Sequence, residues 1–187
     1  MADTQYLALL RGINVGGKNM IKMVDLKTCF ESMGFTDVVT YIQSGNVLFK
    51  SPEKDKAKLI TKIERVLSER FGYKSRIVAV TYKELKKVVE GARQGFGKEL
   101  DKYRYDVIFL KDPLSPAEAM QHVRVKEGVD RAHAGEYVLY FSRLISKASQ
   151  SHLTKIITLP VYQNMTIRNW NTTAKLLALM EKPANNG

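Results

Sequence analysis

Residues 38–50, VVTYIQSGNVLFK, decide the fold of this 187-residue chain. Two apolar and aromatic runs flank a Ser44-Gly45 turn signal, so the segment predicts a β-hairpin. Apolar residues recur at helical spacing on both sides of this hairpin. They are Met23, Leu26, Phe30 and Met33 before it, and Leu59, Ile63, Val66 and Phe71 after it. A hairpin between two helices is the centre of the β-α-β-β-α-β order, which is the ferredoxin-like pattern.

Two further strands complete that order. The run QYLALL at 5–10 has the length of a buried strand, and RIVAV at 76–80 is a second such run. Ser51 and Pro52 predict the N-cap and the first position of the second helix. One more helical pattern follows the last strand. The first half of the chain is therefore predicted to be a ferredoxin-like subdomain with an extra helix.

The second half of the chain repeats the order of elements. Strands are predicted at 105–110 and 165–170, and a hairpin at about 128–141. Asn171 is predicted to cap the final helix. We therefore expect an α+β chain with two ferredoxin-like (β-α-β-β-α-β) subdomains that form a structural duplication. The expected limits are 1–93 and 94–182, with a loose tail at 183–187.

Composition excludes several classes of protein. Hydrophobic residues make up 44% of the chain, which is the balance of a globular protein. The single cysteine, Cys29, excludes an internal disulfide framework, and with three scattered histidines it argues against a zinc site. No apolar run approaches the roughly 20 residues of a spanning helix, and no export signal begins the chain. We expect a cytoplasmic protein with no metal and no membrane partner.

The net charge is +11, from 30 basic and 19 acidic residues spread over both halves. This surplus fits an ordinary solvated surface, and it also fits attraction to a polyanion such as nucleic acid. The sequence contains no hydrolase triad and no paired-carboxylate pattern. No residue type therefore identifies a catalytic group or a cofactor.

A glycine-rich stretch, RGINVGGKN at 11–19, follows the first strand. It begins like a phosphate-binding loop, but Asn19 stands where the magnesium-binding hydroxyl belongs, which argues against a nucleotide triphosphatase. Glycines between a strand and a helix can still direct backbone N–H groups at an anion, with Arg11 and Lys18 beside it. The alternative is a long turn whose glycines only permit positive φ.

Strand order predicts a neighbour for this loop. In the β-α-β-β-α-β topology the first loop and the hairpin turn lie at the same end of the sheet. Residues 11–19 should therefore lie beside residues 43–46, which are also polar. A third polar stretch, TIRNWNT at 166–172, contains Arg168 and Asn169, which have no evident structural role, and Trp170, which we expect to be a packing residue.

Three segments, RGINVGGKN-MIKM, YIQSGNVLF and MTIRNWNTTAKL, resemble the bacterial domain-of-unknown-function family 1697. The resemblance covers essentially the full length. It implies a cytoplasmic α+β protein with two ferredoxin-like subdomains, and it implies no activity. The positions that match the family motifs are Arg11, Gly12, Asn14, Gly17, Gln43, Ser44, Gly45, Asn46, Arg168, Asn169 and Trp170.

The leading hypothesis is a binding protein, or an enzyme of undefined class, that recognises an anionic small molecule. The candidate ligand-binding residues are Arg11, Gly12, Asn14, Gly17, Lys18, Asn19, Gln43, Ser44, Gly45, Asn46, Arg168 and Asn169. Two alternatives stay open. One is a nucleic-acid-binding protein that stacks bases on Tyr6, Tyr41 and Phe49 of an open sheet face. The other is a structural or interaction module without catalysis, in which the three motifs hold the two halves together.

Overall fold

A computed structural model describes residues 3–182. Its elements, in chain order, are β1 (Thr4–Leu10), α1 (Met23–Ser32), β2 (Thr36–Tyr41), β3 (Asn46–Ser51), α2 (Lys56–Phe71), β4 (Ile77–Thr81), α3 (Tyr82–Glu90), β5 (Tyr103–Leu110), α4 (Pro116–His122), β6 (Asp130–Ala134), β7 (Val138–Leu144), α5 (Leu153–Ile157), β8 (Met165–Asn169) and α6 (Trp170–Glu181). Short 3₁₀ helices span Ile145–Gln150 and Pro160–Asn164.

The strands form two antiparallel sheets of equivalent topology. One sheet has the order β2-β3-β1-β4 and the other has the order β6-β7-β5-β8, and every neighbouring pair is antiparallel. Helices pack against each sheet. The predicted α+β fold with two ferredoxin-like subdomains is therefore confirmed.

The described chain divides into two compact units, residues 3–82 with 179–182 and residues 83–178. The chain leaves the first unit at the beginning of α3 and returns to it at the end of α6. The limits expected from the sequence, 1–93 and 94–182, stay a prediction. The predicted loose tail at 183–187 lies outside the described residues. None of the helices within residues 3–182 is long and apolar enough to cross a membrane.

The core of the first unit lies between its sheet and the helices α1 and α2. Alternation along β1 and β3 places Tyr6 and Phe49 on this side, where they are 2% and 1% exposed. Their rings stack with centroids 5.7 Å apart, and Phe49 also contacts Phe35 at 4.6 Å. The expectation that Tyr6 and Phe49 form an open stacking platform is wrong, because both rings are buried in this core. Tyr41 is half-buried on β2.

Two helices begin at other residues than the sequence patterns predicted. Ser51 is the last residue of β3, and α2 instead begins after Asp55, whose carboxylate accepts hydrogen bonds from two backbone N–H groups of the first turn. At the final helix the cap is Asn169, whose Oδ1 accepts the N–H of Asn171 at 2.8 Å. The predictions for Ser51, Pro52 and Asn171 are therefore wrong, because Pro52 lies before α2 and outside every helix. In both cases a capping residue nearby in the chain has the extended backbone and the reach that the cap requires.

Aromatic rings form a cluster in the second unit. Phe96 contacts four rings, with centroid distances of 4.8 Å to Tyr105, 5.3 Å to Tyr140, 5.2 Å to Trp170 and 5.9 Å to His133. Trp170 is thus a packing residue, as predicted. His133 stacks on Tyr140 at 4.8 Å, and its Nε2 is buried without a hydrogen-bond partner. Burial, and to a smaller extent the charge of Arg93, lowers the pKa of His133.

This environment predicts acid sensitivity of folding. Because the pKa of His133 is lowered in the folded chain, the unfolded chain binds a proton first as the pH falls. The free energy of unfolding should therefore decrease as the pH drops through 6.5, the ordinary histidine value. His133→Phe keeps a ring in the cluster and removes the proton-binding group. Urea unfolding of both proteins between neutral and mildly acidic pH should give a steeper loss for the wild type, whereas parallel profiles would contradict the assignment.

Candidate functional site

The loop that follows β1 folds into a small ribbon. The N–H of Lys18 donates to the carbonyl of Val15 at 3.1 Å, and the N–H of Asn14 donates to the carbonyl of Asn19 at 3.2 Å. Between them Gly16 and Gly17 have φ of 58° and 74°. Consecutive residues with positive φ are what a two-residue type I′ turn needs, so the two glycines allow the chain to reverse at this point.

The Asn14 side chain makes three hydrogen bonds, all to backbone groups. Its Nδ2 donates to the carbonyls of Ile21 at 3.0 Å and Gln43 at 2.8 Å, and its Oδ1 accepts the N–H of Ile21 at 2.7 Å. Asn14 has a φ of 53°, in the left-handed region that asparagine tolerates better than most residues. This side chain therefore closes the ribbon and ties it to the turn of the β2–β3 hairpin.

Backbone contacts reinforce the same junction. The N–H of Leu10 donates to the carbonyl of Gly45 at 2.8 Å, and that of Arg11 donates to the carbonyl of Arg76 at 2.9 Å. Gly45 has a φ of 78°, and a Cβ there would lie 2.6 Å from Cδ1 of Ile13. The two loops thus meet at one end of the first sheet, as the strand order predicts. Only glycine fits at position 45.

Asn46 has a comparable role inside the hairpin. It is fully buried, and its Nδ2 donates to the carbonyl of Tyr41 at 2.9 Å and to Oγ of Ser44 at 3.0 Å. These bonds hold the turn from the inside, where a polar side chain without partners would be costly. We call residues 11–22 and 43–46 together the loop cluster.

The side chains that the loop cluster presents to solvent are polar and cationic. Lys18, Asn19 and Gln43 are exposed, and Arg11 is half-buried. Asn19 donates from Nδ2 to the carbonyl of Gly12 at 2.8 Å. No carboxylate occurs between Asp3 and Asp25, or between Asp37 and Glu53. The cluster therefore carries positive charge without acidic side chains of its own.

The third predicted group lies in the other unit. Arg168 belongs to β8, opposite Val107, and is 7% exposed. Its Nη1 donates to Oγ1 of Thr166 at 2.8 Å and to the carbonyl of Ile167 at 2.9 Å. Burial lowers the pKa of Arg168 to about 10, so it is still a cation at neutral pH. Asn169 is exposed and caps α6.

Residues 3–182 offer neither a cluster of metal ligands nor a reactive cysteine. No group of three histidine, cysteine or acidic side chains there could hold a metal ion. Cys29 lies on the buried face of α1, and burial raises its pKa, which favours the protonated thiol. The loop cluster itself contributes polar and cationic side chains, among them Lys18 and Gln43.

The comparisons with known proteins identify the family. The model of DUF1697, described as a protein of unknown function, matches residues 4–140, which include the whole loop cluster. This chain belongs to the DUF1697 family. The DUF1697 chain is also similar to a solved structure, that of the conserved bacterial protein SP0830 from Streptococcus pneumoniae. The TM-score is 0.84 at 25% sequence identity, over 96% of this chain and 100% of that one. No curated protein matches.

The contacts of Asn14 predict a large loss of stability on truncation. Asn14→Ala removes three hydrogen bonds, leaves backbone groups of Ile21 and Gln43 without partners, and strains a left-handed residue. We expect the free energy of unfolding to fall by about 2 kcal/mol or more. Asn171→Ala is the matched control, because Asn171 is exposed and its side chain makes no hydrogen bond among the described residues. Equal urea midpoints for the two variants would contradict this role of Asn14.

Proposed function

We propose that this DUF1697 protein binds an anionic small molecule, bearing a phosphate or a carboxylate, at the loop cluster. The observation that carries the proposal is the 2.8 Å hydrogen bond from Asn14 to the carbonyl of Gln43, which joins two loops that contain no carboxylate. Lys18 and Gln43 are both exposed on these joined loops. An anion there would meet donors held in place before it arrives, which reduces the entropy cost of binding.

The proposal gives the residues two different roles. Arg11 and Lys18 supply positive charge, while Gln43, Ser44 and the exposed amide of Asn19 orient the ligand by hydrogen bonds. The backbone N–H groups around Gly12 and Gly17 add further donors, as in other glycine-rich anion sites. Asn14, Gly45 and Asn46 position the loops and do not touch the ligand. Arg168 and Asn169, which lie in the second unit, stay candidate ligand-binding residues without an assigned contact to this ligand.

A structural or interaction module is the second candidate function. The specific observation that favours it is that Asn14 and Asn46 direct their amides at backbone groups of the chain itself. If the loop motifs only stabilise the fold, substitutions there should lower stability and change no binding property. A nucleic-acid-binding protein is the third candidate. Its remaining support is the net charge of +11, because the aromatic platform expected on the sheet is buried.

A thermal-shift screen with inorganic phosphate, citrate, nucleoside monophosphates and a short RNA at low and moderate salt separates these candidates. A ligand at 100 times its dissociation constant adds about 2.7 kcal/mol of stability. Lys18→Ala should weaken binding of an anionic hit about tenfold, since one charge-assisted hydrogen bond is lost. Its melting temperature without ligand should equal that of the wild type, because Lys18 is exposed. Lys147→Ala is the matched control, because Lys147 is also exposed and lies in the other unit.

Each result favours one candidate. A small-molecule hit that Lys18→Ala weakens and Lys147→Ala does not would support the proposed site. A hit that both variants weaken equally would contradict it. A response to RNA alone that drops steeply with salt would favour nucleic-acid binding. No change in melting temperature with any of these ligands would favour the structural module.

A further inference from the structure

A second concave site lies in the first unit, away from the loop cluster. A cavity of about 520 Å³ is bounded by β1, β2 and β3 and by the end of α6. Register places it at the opposite end of the strands: Gln5 pairs with Lys50 beside the cavity, whereas Leu9 pairs with Asn46 at the loop cluster. Its volume falls within the range of roughly 300–1,000 Å³ that is usual for small-molecule sites.

The walls of the cavity are mostly apolar. Leu48 and Met180 are buried to 4% exposure, and Val39 beside them is 49% exposed. Leu48 alternates with Val47 and Phe49, which belong to the core on the α1 and α2 side, so it faces the opposite side of the sheet. An exposed aliphatic side chain next to buried ones at a concave surface is available for an apolar ligand.

The polar groups at the rim differ in what they already bind. The carboxylate of Asp37 lies 2.6 Å from the ammonium of Lys50, and that of Glu181 accepts the hydroxyl of Tyr82 at 3.3 Å. The side chains of Gln5 and Lys182 make no hydrogen bond or ion pair with a described residue. Among the described residues, the rim groups without a hydrogen bond or ion pair are therefore the amide of Gln5 and the cation of Lys182, which together suit a carboxylate.

We propose that this cavity binds an amphipathic carboxylate, with its hydrocarbon chain against Val39, Leu48 and Met180 and its carboxylate at Gln5 and Lys182. The apolar walls contribute most of the affinity, since burying hydrocarbon is favourable in proportion to the area removed from water. The cation selects the charged end and sets the orientation. The proposal is independent of the loop cluster, because the two sites share no residue.

The test is a titration of the purified full-length chain with decanoate. Binding is measured as displacement of the fluorescent dye anilinonaphthalene sulfonate from the protein. The wild type should bind decanoate saturably. Val39→Glu should weaken decanoate binding at least about tenfold, because it places a charged carboxylate beside the hydrocarbon chain of the ligand and removes apolar contact. Val125→Glu is the matched control, since Val125 is also 49% exposed but lies in the other unit. It should leave the affinity within about twofold of the wild type.

A second variant keeps the test decisive if Val39→Glu fails to fold. Lys182→Ala changes an exposed residue at the end of α6, so it should fold normally and weaken decanoate about tenfold. Decanol, which lacks the charge, should bind wild type and Lys182→Ala equally. Absence of saturable decanoate binding by the wild type, or equal weakening by Val39→Glu and Val125→Glu, would overturn the proposal. Lys18→Ala should leave decanoate binding unchanged, which separates a failure of this site from a failure of the loop cluster.

Discussion

The amide of Asn14 joins three stretches of chain that regular secondary structure leaves unconnected. Between the end of β1 and the beginning of α1, residues 11–22 have no sheet or helix of their own, and residues 43–46 form only a turn. Three bonds of 2.7–3.0 Å from one side chain connect both ends of the ribbon and the hairpin turn. The positions of Arg11, Lys18 and Gln43 relative to one another follow from this junction. Without it, the two loops would be held together by fewer bonds, such as the backbone bond from Leu10 to Gly45.

This arrangement explains why the motif combines glycines and asparagines with cations. Glycines occupy positions where φ is positive or where a Cβ would collide, as Gly45 would with Ile13. Asparagines offer donors and an acceptor on one short side chain, so Asn14 bonds backbone groups of Ile21 and Gln43, and Asn46 bonds the carbonyl of Tyr41. Lys18, by contrast, is exposed to solvent. The residues of the loop cluster thus fall into two groups: those whose hydrogen bonds or backbone conformation shape the loops, and those whose side chains are exposed to solvent.

Much of the fold follows from local patterns in the sequence, and the rest depends on distant contacts. The hairpin at 38–50 and the meeting of the two loops are readable because residue alternation and strand order determine them. The first residue of α2 cannot be predicted from local sequence, because both Ser51 and Asp55 can cap a helix. The choice depends on how far β3 extends, and β3 includes Ser51. Both faces of β1 are buried, with Tyr6 at 2% and Leu7 at 0% exposure, and alternation alone does not show that neither face of the strand is open to solvent. The cavity beside Val39 is lined both by strands near the N-terminus and by the end of α6. These segments are far apart in the chain, so no local sequence pattern predicts the cavity.

Hydrogen exchange at the amide of Ile21 tests the central role of Asn14 most directly. Ile21 lies outside every helix and strand, and its N–H donates to Oδ1 of Asn14 at 2.7 Å. The neighbouring amide of Met20 makes no hydrogen bond with a described residue, and its side chain is 70% exposed, so it serves as the internal reference. The account predicts that Ile21 exchanges as slowly as the amides of β1 while Met20 exchanges freely. Equal and rapid exchange of both amides would show that Asn14 does not hold the ribbon, and would contradict the account.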